Sequence, residues 1–94
     1  MLELIFEHKH IHKNYIIDIT IYRIDKNTNY PEGFRYSLVL IKDGKRILGY
    51  DNYEGKGHHI HRNAREVSYD FTDEWKLVED FYADVNKITK GEIE

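Results

Sequence analysis

Cysteine is absent from the chain, proline and tryptophan occur once each, and no apolar run approaches the length of a membrane span. Without cysteine there is neither a disulfide framework nor a thiolate zinc site, which agrees with a reducing cytoplasm. The opening residues, Met1 to Glu7, lack the basic start and apolar run of a signal peptide. A broad positive face is missing too, because the net charge is −3. Residues 1–72 carry 11 Lys/Arg against 10 Asp/Glu, whereas residues 73–94 carry 3 against 7. The acidity therefore lies at the C-terminal end, and an extended nucleic-acid-binding surface is disfavoured. A small positive pocket remains compatible with this balance. What is left is a cytoplasmic, soluble chain of 94 residues, 40% hydrophobic, with material for one domain over residues 1–94 and one core. A core this small gains from partner binding or from a homodimer.

The hydrophobic pattern predicts an antiparallel sheet of four to five strands with a C-terminal helix on one face, an α+β fold. Leu2, Leu4 and Phe6 alternate with Glu3 and Glu7, giving a strand over residues 2–8. The same alternation carries His8, His10 and His12 onto one side. A solvated strand end is the reading adopted for them, with a three-histidine metal ladder as the alternative. Tyr15, Ile17, Ile19 and Ile21 define a second strand over 15–24, followed by a loop holding the one proline, Pro31. Strands at 35–42 and 45–51 flank Asp43-Gly44, a favoured two-residue hairpin turn. That turn pairs Leu40 with Ile47, Leu38 with Gly49 and Tyr36 with Asp51. It groups Tyr36, Leu38, Leu40 and Ile47 on one face and Val39, Ile41, Leu48 and Tyr50 on the other. Both faces are apolar, so the hairpin belongs in the middle of the sheet. A histidine loop at 52–65 and a strand at 66–71 follow. The helix is expected over 73–90, capped by Thr72, with Trp75, Val78, Phe81 (or Tyr82), Val85 and Ile88 as its core stripe and Gly91 as its stop. Asp80 and Asp84, one turn apart, read as solvated, with an anchored cation or arginine as the alternative.

The densest chemistry lies in Tyr50-Asp51-Asn52-Tyr53-Glu54-Gly55-Lys56-Gly57-His58-His59-Ile60-His61-Arg62, which puts three histidines within four residues. Gly55-Lys56-Gly57 offers backbone amides and a point charge to a phosphate, although its spacing is not that of a P-loop. His59 and His61 point the same way on an extended segment. Two imidazoles suit cleavage of an RNA phosphodiester: one takes the proton from the ribose 2′-hydroxyl, the other protonates the leaving oxygen. Lys56, with Arg65, would bind phosphate and stabilise charge on phosphorus. Glu66 or Asp51 would orient an imidazole. Arg62, Arg65, His58 and Asn52 are candidates for holding substrate. No cofactor is expected, but a divalent metal on His58, His59, His61 and Asp51 is a competing arrangement.

Taken together, Tyr50-Asp51-Asn52, Gly55-Lys56-Gly57, His59 and His61, Glu66, Tyr69 and Phe71, Asp80-Phe81 and Asp84-Val85 resemble the TumE family of small toxins from prokaryotic toxin–antitoxin systems. The hairpin strand Arg35-Tyr36-Ser37-Leu38-Val39-Leu40 shares the likeness, which runs from about Tyr15 onward. One departure is Ile60, where such proteins commonly have arginine; Arg62 or Arg65 would have to take over any grip on substrate. The resemblance implies a toxin neutralised by a cognate antitoxin, with RNA or translation as its target. The alternatives are a metal-dependent nuclease using the same histidines and a non-catalytic module binding nucleic acid or protein. A further expectation is that a basic antitoxin segment docks on Glu79, Asp80 and Asp84.

Overall fold

The computed structural model describes residues 1–53 and 56–93, leaving Gly55 of the two-glycine loop, with Glu54 and Glu94, outside the described residues. Six strands and one helix follow one another: β1 (Glu3–His12), β2 (Tyr15–Arg23), β3 (Phe34–Lys42), β4 (Lys45–Asp51), β5 (His59–Arg62), β6 (Arg65–Ser68) and α1 (Glu74–Thr89). The strands lie in the sheet in chain order, each antiparallel to the next, so the sheet is a simple meander. The α+β class is as expected, with six strands in place of four or five. The additional strand, β5, comes from inside the expected histidine loop. It is only 4 residues long, too short for alternation to announce it.

Beta-branched and aromatic residues set the core. Tyr15, Ile17, Ile19 and Ile21 of β2 alternate buried with half-buried neighbours, as do Tyr36, Leu38 and Leu40 of β3. The Asp43-Gly44 turn has positive φ at both positions (52° and 78°), the geometry that matches the twist of a tight hairpin. Its register is the predicted one only up to Ile41–Arg46; an irregularity then pairs Leu40 with Leu48, Leu38 with Tyr50 and Ser37 with Asp51. The expected Leu40–Ile47 pairing is thus corrected by a bulge at Ile47. Its physical effect is to turn Leu48 and Tyr50 to the same side as Leu40 and Leu38, where both are buried.

The helix lies on that side. Leu77, Phe81 and Val85 are fully or almost fully buried against the sheet, with Val78 packed at the margin. Trp75 (78% exposed) and Ile88 (38%) fall outside the stripe expected for them, because the buried face is centred on Leu77 rather than on Trp75. Asp73, not Thr72, is the cap: its carboxylate accepts from the Lys76 amide at 2.8 Å. At the other end Lys90 and Gly91 both adopt left-handed φ (55° and 77°) and terminate the helix.

Asp80 and Asp84 are not solvated. Asp84 accepts from Arg62 at 2.7 Å and from the Tyr50 hydroxyl, while Asp80 accepts from Tyr69 at 2.7 Å and pairs with Lys76 at 2.9 Å. Burial works against the Asp80 anion, but the hydrogen bonds from Lys76 and Tyr69 outweigh it and hold the carboxyl below its ordinary value. These bonds pin the helix to β4, β5 and the chain after β6. A basic segment docking on Glu79, Asp80 and Asp84 would meet carboxylates that already have partners within the fold, Lys76 beside Glu79 and Asp80, and Arg62 beside Asp84.

Candidate active site

Only one face of the sheet is covered by the helix. Register decides which side chains reach the other, open face. On β4 and β5, Asp51 pairs with His59 and Gly49 with His61, alternating with Tyr50–Ile60 and Leu48–Arg62. On β6, Glu66 pairs with His61 and Ser68 with His59. Directly paired residues share a face. Asp51, His59, His61 and Glu66 therefore gather on the open face, while Tyr50, Ile60, Arg62 and Arg65 turn toward the helix side.

The open-face group is tight. His59 and His61 stand edge to face with ring centroids 4.8 Å apart. Asp51 meets both: Oδ1 lies 3.0 Å from Nε2 of His59, and Oδ2 lies 3.4 Å from Nε2 of His61. Glu66 Oε1 approaches from the far side, 3.6 Å from Nδ1 of His61 and 3.9 Å from Nε2 of His59. With Tyr53 and Lys56 these residues line a cleft of about 220 Å³. Burial pushes the Tyr53 phenol up, against the opposing pull of the Arg35 guanidinium, which stacks 4.4 Å from its ring. The cleft thus brings together four residues expected as catalytic, His59, His61, Lys56 and Glu66, with Asp51, expected as an orienting carboxylate or a metal ligand.

The four expected substrate-binding residues lie elsewhere. Asn52 is buried, donating to the Phe34 carbonyl at 2.7 Å and accepting from the Tyr36 amide at 3.0 Å. Its side chain continues the β3–β4 ladder where the β4 backbone leaves it. The His58 ring stacks on Phe71 at 4.6 Å and lies beside Tyr36 at 5.6 Å, the three rings forming one cluster. Its Nδ1 meets the Tyr36 hydroxyl at 2.7 Å and its Nε2 meets Glu32 at 2.9 Å. Burial above all, reinforced by neighbouring tyrosines and carboxylates, keeps Tyr36 protonated far past its ordinary value. The His58 ring is thus held at both nitrogens, by the Tyr36 hydroxyl and by the Glu32 carboxyl group. This is an anchor for the loop, and His58 is not among the residues that line the cleft. Arg62 is held by Asp84, and Arg65 is its register partner on the same, helix-side face.

One basic residue escaped notice in the sequence. Arg46 precedes the bulge and pairs with Ile41 on the open face. Its side chain lies across Gly49, so that a Cβ built on Gly49 would meet Arg46 Cδ at 3.2 Å and two guanidinium nitrogens at 3.6 Å. A glycine inside a strand costs stability and commonly marks the close approach of another group. Here it clears a path for an arginine above the residue that pairs with His61. Gly49 within an otherwise apolar strand was the signal available. His8, His10 and His12 do not join the cleft. They stack along β1 at successive centroid distances of 6.3 Å, a ladder rather than a convergent ligand set.

A six-stranded meander with one covering helix, presenting two histidines and two carboxylates on its bare face, defines a small α+β domain with a polar, solvent-open cleft. The chain belongs to the TumE family: the family model described as Toxin TumE matches residues 4–89, nearly the whole chain. It is accordingly a toxin component of a toxin–antitoxin system, for which an antitoxin is the expected partner. No curated protein and no solved structure matches it. Among the described residues, no helix is long and apolar enough to cross a membrane.

Proposed function

We propose that this toxin cleaves RNA by acid–base chemistry at His59 and His61. The observation that carries the reading is the shared carboxylate: Asp51 spans both imidazoles from the next strand, within 3.0 and 3.4 Å. A carboxylate in that position fixes ring orientation, which a proton-transfer pair requires. One of the two imidazoles serves as the base for the ribose 2′-hydroxyl. The freed oxygen attacks phosphorus, closing a 2′,3′-cyclic phosphate, and the 5′-oxygen departs with a proton from the other. Both rings lie against Asp51 and Glu66. RNA supplies the nucleophile, so the absence of cysteine is no obstacle. Lys56 at the cleft and Arg46 above Gly49 supply positive charge to the phosphate. The aromatic Tyr53 in the cleft wall offers a stacking surface for a base.

A second reading has a specific observation behind it. One donor atom from each of Asp51, His59 and His61 lies within 4.8 Å of the others, a spacing that a divalent ion could close. A metal-dependent nuclease would use the same three residues as ligands, with Glu66 beside them.

The test is cleavage of a labelled RNA pool by purified protein, with and without a chelator, compared with His59→Ala and His61→Ala. Each substitution is expected to lower the rate by about 10²–10⁴-fold with the circular dichroism spectrum unchanged. Activity that survives chelation supports the metal-free reading. Loss on chelation with recovery on one added ion replaces it by the metal reading, and a folded protein that never cleaves RNA overturns both.

A further inference from the structure

The two edges of the sheet are unlike. At one end β6 has 4 residues, too few to template another strand. At the other end β1 runs for 10 residues with no proline, and among the described residues no other strand faces its outer backbone edge. Exposed apolar residues stand on both faces of its first half. Leu2 and Leu4 are 55% and 48% exposed, and Phe6, turned to the helix side by an irregularity between Leu4 and Phe6, is 40% exposed near the exposed Trp75. An apolar groove of about 180 Å³ between Phe6, Ile5, Trp75 and Val78 opens alongside. Long, exposed edges of this kind invite strand addition, and proteins ordinarily suppress it with charges that find no complement.

The charges on β1 do find one. We propose that β1 is a self-association edge: two copies pair their β1 strands antiparallel about a two-fold axis through His8, joining two six-stranded sheets into one. In that register Glu7 of each copy stands directly opposite Lys9 of the other, and Phe6 stands opposite His10. Centring the axis on Glu7 would set Glu7 against Glu7, and centring it on Lys9 would set Lys9 against Lys9. Among the three central registers, charge selects one.

The neighbouring strand completes the pattern. Within one copy Lys9 is paired with Asp18 and Glu7 with Thr20, so Lys9 would sit between a carboxylate of its own chain and one of the second copy. On the other face Phe6, His8 and His10 stack at centroid distances of 6.5 and 6.3 Å, and the two-fold lays these two ring ladders side by side. The groove beside each Phe6 then faces the second copy's His10 and His12, and both helices remain on the same side of the joined sheet. The open face on which His59 and His61 sit is left uncovered. The association is therefore independent of the chemistry proposed for that cleft.

Sedimentation equilibrium on the full chain, alone, tests this with a charge exchange. The wild-type protein is expected to populate a dimer in the micromolar range. Glu7→Lys, which opposes only Thr20 within its own copy, should weaken that dimer by about tenfold or more, as should Lys9→Glu. The double exchange, Glu7→Lys with Lys9→Glu, should restore it, although Glu at position 9 still faces Asp18. Circular dichroism of all four proteins separates a lost interface from a lost fold. A wild-type monomer throughout the range, or a double variant as weak as the single ones, overturns the proposal.

Discussion

The two faces of one sheet have been given opposite tasks. Toward the helix, Ile17, Ile19, Tyr36, Leu38, Leu40 and Leu48 are closed to solvent, and Asp84 holds Arg62 and Tyr50 while Asp80 holds Tyr69, although Nε2 of His10 is buried there without a hydrogen-bond partner. Toward solvent, Asp18, Thr20, Ser37 and Val39 are half-exposed, and the histidine–carboxylate group sits in an open cleft with no covering layer. Burying an aliphatic or aromatic side chain contributes about 1.5–3 kcal/mol, so the helix face carries the stability. The open face carries groups that stability alone would not choose: a mid-strand glycine and two histidines against two carboxylates. Neighbouring residues of β5 divide between these tasks, His61 facing one way and Arg62 the other.

Substitutions on either side should separate stability from activity. The largest effect is expected from Phe81→Ala, which empties a fully buried site and should cost about 3–5 kcal/mol in urea unfolding, with RNA cleavage falling only as folded protein is lost. Arg46→Ala should do the reverse, lowering the cleavage rate on the order of tenfold while leaving the unfolding midpoint in place. A parallel drop in stability would mean that Arg46 belongs to the structural side. The smallest effect is a pH dependence. Burial pushes Tyr36 up from its ordinary 10.0, so the phenol stays protonated in the folded state while the unfolded chain ionises. Its contribution is complete below pH 10 and is lost as pH rises beyond it. By about pH 11 this should amount to about 1 kcal/mol. Tyr36→Phe should lessen that alkaline slope in urea titrations, the remainder coming from Tyr50 and Tyr69, whose phenols burial also pushes up.

Much of this arrangement was legible in the residues. Period-two alternation in Tyr15–Ile21 and Tyr36–Leu40 identified the core strands, and Asp43-Gly44 identified their hairpin, because both signals are local. The bulge at Ile47 was not legible, since Ile47 and Leu48 are equally apolar and only burial of Leu48 and Tyr50 under the helix selects the shifted register. Trp75 misled for a related reason: helical spacing admits a stripe through either Trp75 or Leu77, and position on the sheet decides between them. Asp73 and Thr72 are both good caps, so the choice rested on which one the chain leaves outside the first turn. His59, His61, Lys56 and Glu66 could be singled out from residue type, and the fold gathers them around one cleft, while the roles given to them remain part of the proposal. Arg62 and Arg65 were misplaced despite a usable signal. Arg62 follows His61 directly in an extended segment and so must point to the opposite face.

The meander has a kinetic consequence. Because every strand pairs with its sequence neighbour, contacts within the sheet are short in sequence and ordering can travel from one end. The residues of the cleft lie between Asp51 and Glu66, in the last part of the sheet to leave a ribosome. Its core is sealed only when residues 74–89 follow. A nascent toxin therefore carries a partly formed sheet without a site through most of its synthesis. The histidines and carboxylates are brought together only once β5 and β6 follow the core strands β2 and β3.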